Sequence, residues 1–387
     1  MNENPFLNRV CAKLRSCRPL IPPSINVLTR TELVKDAPFV VMWFRTRGCK
    51  YAVRGNCTMC NYGTSTPVPT EDIVTYVRGG LQLLPDNERL MLLISPSGSM
   101  FDDWEVPPAA REQIFRMIHD VKCSTVLCET RAETIRDDAI AQYVSLVGHK
   151  TACVEIGLES ADPWILKYCI NKPLNLSKFT TAIGTIRKHG AMSLANILLG
   201  SAFLTPREAI EDTVYSVKWA LSQGADRCIV LPAHVKPWTL LHWLWERNIY
   251  SPPSLWSLVE VLARLGPELT PKVIISWYKP SYYESAEGDN PVEGTDCLSS
   301  PLTCATCKST VVKLLDDYHN TQNFSTIQTL VGMQCECRIA WRRTLEKQVT
   351  GSLAERVTRF YEAIGHEILG TDWWTHNRQK ALAGITR

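Results

Sequence analysis

Six short apolar runs, each followed by a loop and then a longer stretch with helical periodicity, leave this chain few folds to choose from. The runs are FVVMWF (39–44), LMLLIS (90–95), STVLCE (124–129), ACVEIG (152–157), MSLANILL (192–199) and RCIVLP (227–232). Several are apolar almost throughout, as strands covered on both faces must be. Strands separated by helix-length segments pair in parallel, so the rhythm predicts an α/β fold with a six-stranded parallel sheet under covering helices. Thr205-Pro-Arg-Glu208 marks one helix start, offering a hydroxyl at the N-cap, proline at the first helical position and a glutamate three residues on. In such sheets the loops leaving the C-terminal strand ends carry the chemistry, whether the sheet closes or stays open.

The first of those loops holds Cys49, Cys57 and Cys60 in the pattern C-x7-C-x2-C. Three thiolates on one loop suit three irons of a cubane cluster. A closed zinc site wants a fourth ligand, and none of the usual types lies within the loop. On spacing alone, a structural zinc half-site stands level with the cluster. The chain has fifteen cysteines, and its N-terminus, MNENPFLNRV, carries no export signal, so thiols kept reduced in the cytoplasm are expected rather than a disulfide framework. Cys123, Cys128, Cys153 and Cys228 lie in apolar runs and read as small buried hydrophobes. The longest strongly apolar stretch, 37–44, is too short to span a bilayer. A net charge of +3 gives no global field of the kind that marks a dedicated nucleic-acid binder.

After residue 240 the rhythm changes. WLWERNIYSPPSLWSLVEVLARL reads as two helical pieces broken at Pro252-Pro253, and a strand is expected at KVIIS (272–276). A long amphipathic helix is expected over about 338–366, followed by a tail containing TDWWTH. The chain thus divides into an N-terminal extension (1–37), a core (38–240), a C-terminal cysteine-containing domain (241–345) and a helix with tail (346–387). Cys297, Cys304, Cys307, Cys335 and Cys337 form a second group, most simply a structural zinc site with one bystander, with an auxiliary iron–sulfur cluster as the rival.

Other polar residues sit at strand ends. Ser97, Gly98 and Ser99 let backbone approach a ligand, or make an ordinary turn. Glu129, Arg131, Glu155 and Glu159 share the rim with the first cysteines and can serve a ligand or simply pair with one another. His234 is the histidine best placed to meet a substrate, while Trp238, Trp243 and Trp245 read as core or interface aromatics.

A cysteine triad directly after the first strand of a six-unit parallel domain resembles the defining loop of the radical S-adenosylmethionine (SAM) superfamily. That resemblance implies a partial (β/α)6 TIM-like barrel with an α-rich, cysteine-containing extension. It also implies a 4Fe-4S cluster on Cys49, Cys57 and Cys60 whose open iron chelates SAM. SAM contacts then fall to Met59, Tyr62, Ser97, Gly98, Ser99, Arg131 and Glu159, and the electron comes from a donor such as flavodoxin or ferredoxin.

RTRGC with CTMCNY, SGSMFD, ETRAE, GLESAD, INKP, FLTPREAIED, LWERNIYSPPSLWSLVEVL and the CATC and CEC cysteines together look like the radical SAM subunit of archaeosine synthase and its relatives. This closer resemblance implies carbon–nitrogen cleavage on a lysine-modified 7-deazaguanine base of tRNA, with a partner subunit preparing the substrate. Against tRNA, the segment before Cys304 carries Glu284, Glu287, Asp289, Glu293 and Asp296, which repel phosphate and keep a small or peptidic substrate open. A non-catalytic scaffold with zinc at both cysteine groups is the reading of another class.

Overall fold

The computed structural model describes residues 3–18, 26–63, 66–279, 297–347 and 349–385. All six apolar runs form strands: β2 (Ala37–Phe44), β3 (Met91–Ser95), β4 (Thr125–Thr130), β5 (Thr151–Glu159), β6 (Met192–Leu199) and β7 (Arg227–Pro232). Two more strands extend the sheet, β1 (Val27–Val34) and β8 (Val273–Ile275), so it has eight strands rather than six. Spatial order follows chain order from β1 to β8. β1 pairs antiparallel with β2, and every later pairing is parallel. The sheet curls into a partial TIM-like barrel with helices outside, the α/β architecture that the strand–helix rhythm dictates.

β1 escapes a search for apolar runs because VLTRTELV alternates apolar and polar residues and is nowhere fully buried. It is an edge strand, tied to β2 by Lys35-Asp36, whose φ angles of 51° and 58° suit a two-residue hairpin turn. The strand expected at KVIIS is β8. The expected helix over 338–366 is two, Glu336–Glu346 and Leu353–Ile364. The first ends where Lys347 leaves the helical region (φ −60°, ψ 120°), and Ser352 with Glu355 forms a capping box that starts the second. The TDWWTH tail is helical over Thr371–Leu382.

Alternation along the strands separates two cores. Val126, Cys128, Val154 and Ile156 face outward into the main core beneath the helices. Leu93, Leu127, Cys153, Leu194 and Ile229 form a second cluster inside the curl. Two residues further along the same strands, this inner face carries Ser95, Glu129, Glu155 and Asn196. The lumen is therefore apolar toward the strand N-termini and polar toward the C-terminal ends, where the cysteine loop lies. Cys123, Cys128, Cys153 and Cys228 are all buried in these cores.

The two ends of the described chain meet. Phe6, on the helix Pro5–Arg15, lies 4.5 Å from Tyr361 and 5.6 Å from Trp374 between ring centroids. Asn4 donates to the Tyr361 hydroxyl at 2.8 Å and to the Lys167 carbonyl at 3.2 Å.

Candidate functional site

The cysteine loop leaves β2 and is shaped by close backbone contacts that only glycine permits. A Cβ on Gly48 (φ +75°) would lie 2.1 Å from Gly63 Cα, so the loop's entry and exit touch directly. Gly98 is pressed against the same loop: a Cβ there would be 3.1 Å from the Cys49 nitrogen and 2.2 Å from Glu105 Oε2. Cys49 opens a short 3-10 turn, Lys50–Arg54, whose terminal Gly55 rests on the Asn8 carbonyl of the N-terminal helix. Thr58 then pins the far end, its Oγ1 donating to the Cys169 carbonyl at 2.8 Å and its N–H to the Ile170 carbonyl at 2.9 Å. Cys57 is buried, and Cys49 and Cys60 are half-buried.

Each of the three thiols has its own buried or half-buried cation. Arg131 Nη1 donates to Cys49 Sγ at 3.4 Å. Lys172 acts electrostatically on Cys57, and Lys236 on Cys60. Every cation is in turn held in place. Arg131 pairs with Asp102, Glu105 and Glu133 and lies 4.8 Å from the Tyr51 ring centre. Lys172 pairs with Glu159 at 3.0 Å. Lys236 donates to the Tyr62 hydroxyl at 3.2 Å and sits 4.3 Å from that ring's centre. Burial nevertheless pushes the Cys49 thiol up to about 12, with Glu105 adding to it, and raises Cys57 and Cys60 as well. Thiols so placed ionise only when a metal takes the thiolate.

The residues expected at this rim fall into distinct roles. Arg131 braces the cysteine loop, with Nε bonded to Glu133, Nη1 to Glu105 and Cys49, and Nη2 to Asp102. Ser99 is fully buried, with Oγ 2.5 Å from Thr130 Oγ1 and 2.9 Å from Thr134 Oγ1, so its side chain faces the scaffold. Ser97, in left-handed backbone at φ +54°, and Gly98 present the turn itself. Glu159 (φ +66°) sits at a β-bulge after Gly157, and a Cβ on Gly157 would lie 2.6 Å from Lys172 Nζ. Met59 packs partly against the main core, and the Tyr62 N–H donates to Cys60 Sγ at 3.5 Å.

His234 is engaged by protein groups at both ring nitrogens, Nε2 with the Trp277 carbonyl and Nδ1 with Ser300 Oγ at 3.2 Å. Burial lowers its pKa to about 4, which favours the neutral ring. The acids expected to repel phosphate (Glu284, Glu287, Asp289, Glu293, Asp296) lie outside the described residues.

Three residues beside the cysteine loop carry no local signal of their place there. Glu105 is buried and ties three parts together: it accepts from the Lys50 N–H at 2.6 Å and from the Ser99 N–H, and it pairs with Arg131 beside Cys49. Lys172 and Lys236 are the other two. Above the apolar part of the lumen, Glu129 and Glu155 are cross-strand neighbours. Burial, with Glu129 nearby, raises Glu155 to about 8, and burial raises Glu129 also. Asn196 Nδ2 donates to Glu155 at 3.4 Å while its Oδ1 is buried without a partner.

Three thiols, amide and guanidinium donors to their sulfurs and no fourth ligand in the loop fit a cluster with one open iron. The chain is 29% identical over 324 residues to archaeosine synthase subunit beta of Methanosarcina acetivorans, spanning 82% of this chain and 88% of the relative. It is 30% identical over 308 residues to archaeosine synthase subunit beta of Thermococcus kodakarensis, spanning 78% of this chain and 90% of the relative. The chain belongs to the archaeosine synthase subunit beta family. No family model matches it. Among solved structures, Elp3 of Methanocaldococcus infernus is similar at 16% identity with a TM-score of 0.43, over 64% of this chain and 57% of that one.

This member of the archaeosine synthase subunit beta family has a second cysteine site. Sγ atoms of Cys304, Cys307, Cys335 and Cys337 all lie within 4.8 Å of one another. Cys297 stands apart from them. A bridge between Val235 and Ser299 ties its segment to the His234 strand end, and its Sγ lies 3.6 Å from His234 Nδ1. Among the described residues no helix is long and apolar enough to cross a membrane.

Proposed function

We propose that this chain is the radical SAM subunit of an archaeosine-forming system, acting on a lysine-modified 7-deazaguanine base in tRNA by carbon–nitrogen cleavage. When bound by Cys49, Cys57 and Cys60, a 4Fe-4S cluster supplies the electron that cleaves SAM to a 5'-deoxyadenosyl radical, which abstracts a substrate hydrogen. The observation that carries the reading is the three-cysteine loop with a cation beside each sulfur and no fourth ligand. Arg131 and Glu105 hold Cys49 in position, Lys172 and Glu159 do the same beside Cys57, and Tyr62 with Lys236 flanks Cys60. The turn Ser97-Gly98 brings backbone against the loop where the amino group of SAM would lie. The polar lumen of Glu129, Glu155 and Asn196 faces the same opening and suits a substrate bearing amino or amidine groups. A partner subunit, named for the relatives by the word beta, would prepare that substrate, and a flavodoxin or ferredoxin would deliver the electron.

The test is anaerobic reconstitution of the full chain with iron and sulfide, then dithionite and SAM, scoring 5'-deoxyadenosine in wild type and in Cys57→Ala. Wild type is expected to form it and the variant to form none. No product from protein verifiably loaded with iron, with modified tRNA present, overturns the catalytic reading. Product that rises with a free nucleoside or peptide but not with modified tRNA overturns the tRNA assignment alone.

A further inference from the structure

The second cysteine group is built from two helix starts. Cys304 is the N-cap of the helix Ala305–Thr321, with Cys307 in its first turn. Cys335 is the N-cap of the helix Glu336–Glu346, with Cys337 in its first turn. Both helices therefore begin at the four sulfurs, with the positive ends of their dipoles nearest them. The Cys307 and Cys337 amides donate to the sulfurs of Cys304 and Cys335. The Trp256 indole N–H donates to Cys337 Sγ at 3.2 Å, so the sulfurs are received by donors on three helices.

Their spacing decides what the site can hold. The Sγ–Sγ distances are 3.6 Å for Cys304–Cys307, 3.5 Å for Cys304–Cys335, 3.5 Å for Cys307–Cys337 and 3.4 Å for Cys335–Cys337. A disulfide needs about 2.0 Å, so none of these pairs is bonded. Four thiolates about 2.3 Å from one central ion form a tetrahedron with edges of about 3.8 Å, close to the observed values. In a 4Fe-4S cubane each thiolate takes its own iron at a separate corner, and the sulfurs are spread around the whole cluster. A 2Fe-2S centre likewise separates its sulfurs into two pairs across the two irons. All four sulfurs here lie within 4.8 Å of one another, leaving room for one ion and not for a cluster. With clusters excluded, tetrahedral four-sulfur ligation points to zinc.

We infer that Cys304, Cys307, Cys335 and Cys337 bind a single zinc ion in a closed, four-coordinate site with no position for substrate. Its effect is mechanical. The ion locks the starts of two C-terminal helices to each other, and two indole bonds hold the second of them, Glu336–Glu346, to the helix Leu255–Leu269: Trp256 to Cys337 Sγ, and Trp341 to Ser257 Oγ at 2.9 Å. It also fixes the chain just after the stretch in which Ser299 bridges to Val235, beside the end of β7. The site thus holds the C-terminal segment against the barrel mouth. This inference goes beyond the radical SAM reading and stands without it.

Elemental analysis of the anaerobically reconstituted full chain tests it. Wild type is expected to hold about one zinc and about four irons per chain. Cys57→Ala is expected to lose the iron and keep the zinc, which separates this inference from the proposed activity. Cys335→Ala is expected to lose the zinc and keep the iron. Should that variant not fold, Cys337→His retains a three-cysteine, one-histidine set and is expected to hold zinc still. Cobalt(II) in place of zinc should give the intense visible bands of tetrahedral thiolate ligation. About eight irons without zinc, one extra iron in place of zinc, or four titratable thiols or two disulfides with no metal would each overturn the inference.

Discussion

Cys49, Cys57 and Cys60 share one loop and each lie near a side-chain cation, whereas Cys304, Cys307, Cys335 and Cys337 come from two helix starts and face peptide dipoles. The loop triad does not gather its sulfurs within 4.8 Å, as the tetrad does. One arrangement offers three thiols on a single loop, each near a cation that is itself held by protein partners. The other closes on itself and surrounds the sulfurs with backbone that cannot reorganise. Chemistry needs the first kind of site, and stiffness needs the second.

The contrast can be broken outright by crossing the ligands. Cys49→Ala should drop iron from about four per chain to near zero without touching zinc, and a variant that loses both metals would show the sites to be one folding unit. Next in size is Glu105→Ala. Removing this buried carboxylate deprives two backbone amides of their acceptor and Arg131 of one of its three acids, an effect expected to cost about 1–3 kcal/mol by denaturant unfolding. Iron occupancy should fall with it while zinc holds. Gly98→Ala forces a methyl against Cys49 and Glu105 and should destabilise by about 1–3 kcal/mol, with iron loss again exceeding zinc loss.

A smaller effect is expected in the lumen. Glu155 keeps its proton up to about pH 8 in the folded chain, while in the unfolded chain it ionises near the ordinary carboxyl value. Between those pH values the folded state binds more protons, so stability falls as pH rises through that window. Glu155→Gln, which mimics the protonated group, should match wild type in Tm at pH 4 and exceed it by a few degrees at pH 8.5. The smallest effect is reserved for Cys297→Ser. Because Cys297 lies outside the tetrad, both metals should be retained at wild-type stoichiometry with stability changed by less than about 1 kcal/mol.

Legibility in the sequence followed how each feature is encoded. The strands β2 to β7 announce themselves because double-faced burial demands continuous apolar runs, and the Thr205 capping box is local chemistry that recurs in the structure as written. β1 is half-exposed and alternating, so the Lys35-Asp36 turn was its one clear signal. The split of the C-terminal helix was signalled by Gly351-Ser352 and obscured by helical periodicity on both sides. At the site, cysteine spacing carries the ligands directly. The braces do not show, because Glu105 reaches Cys49, and Lys172 reaches Cys57, only through the curl of the sheet. His234 illustrates the converse: it sits in the expected place, and the partners that occupy its ring, Trp277 and Ser300, lie 43 and 66 positions away.

The clasp between the chain ends has a consequence for biosynthesis. The helix behind the cysteine loop packs through Phe6 and its N-cap Asn4 on Tyr361, and Asn4 and Tyr361 are 357 positions apart. A ribosome therefore exposes the triad long before it makes the surface that backs the triad's supporting helix. Until the distal helices arrive the loop lacks its full support, so assembly of the finished centre follows completion of the fold rather than accompanying the emergence of its ligands.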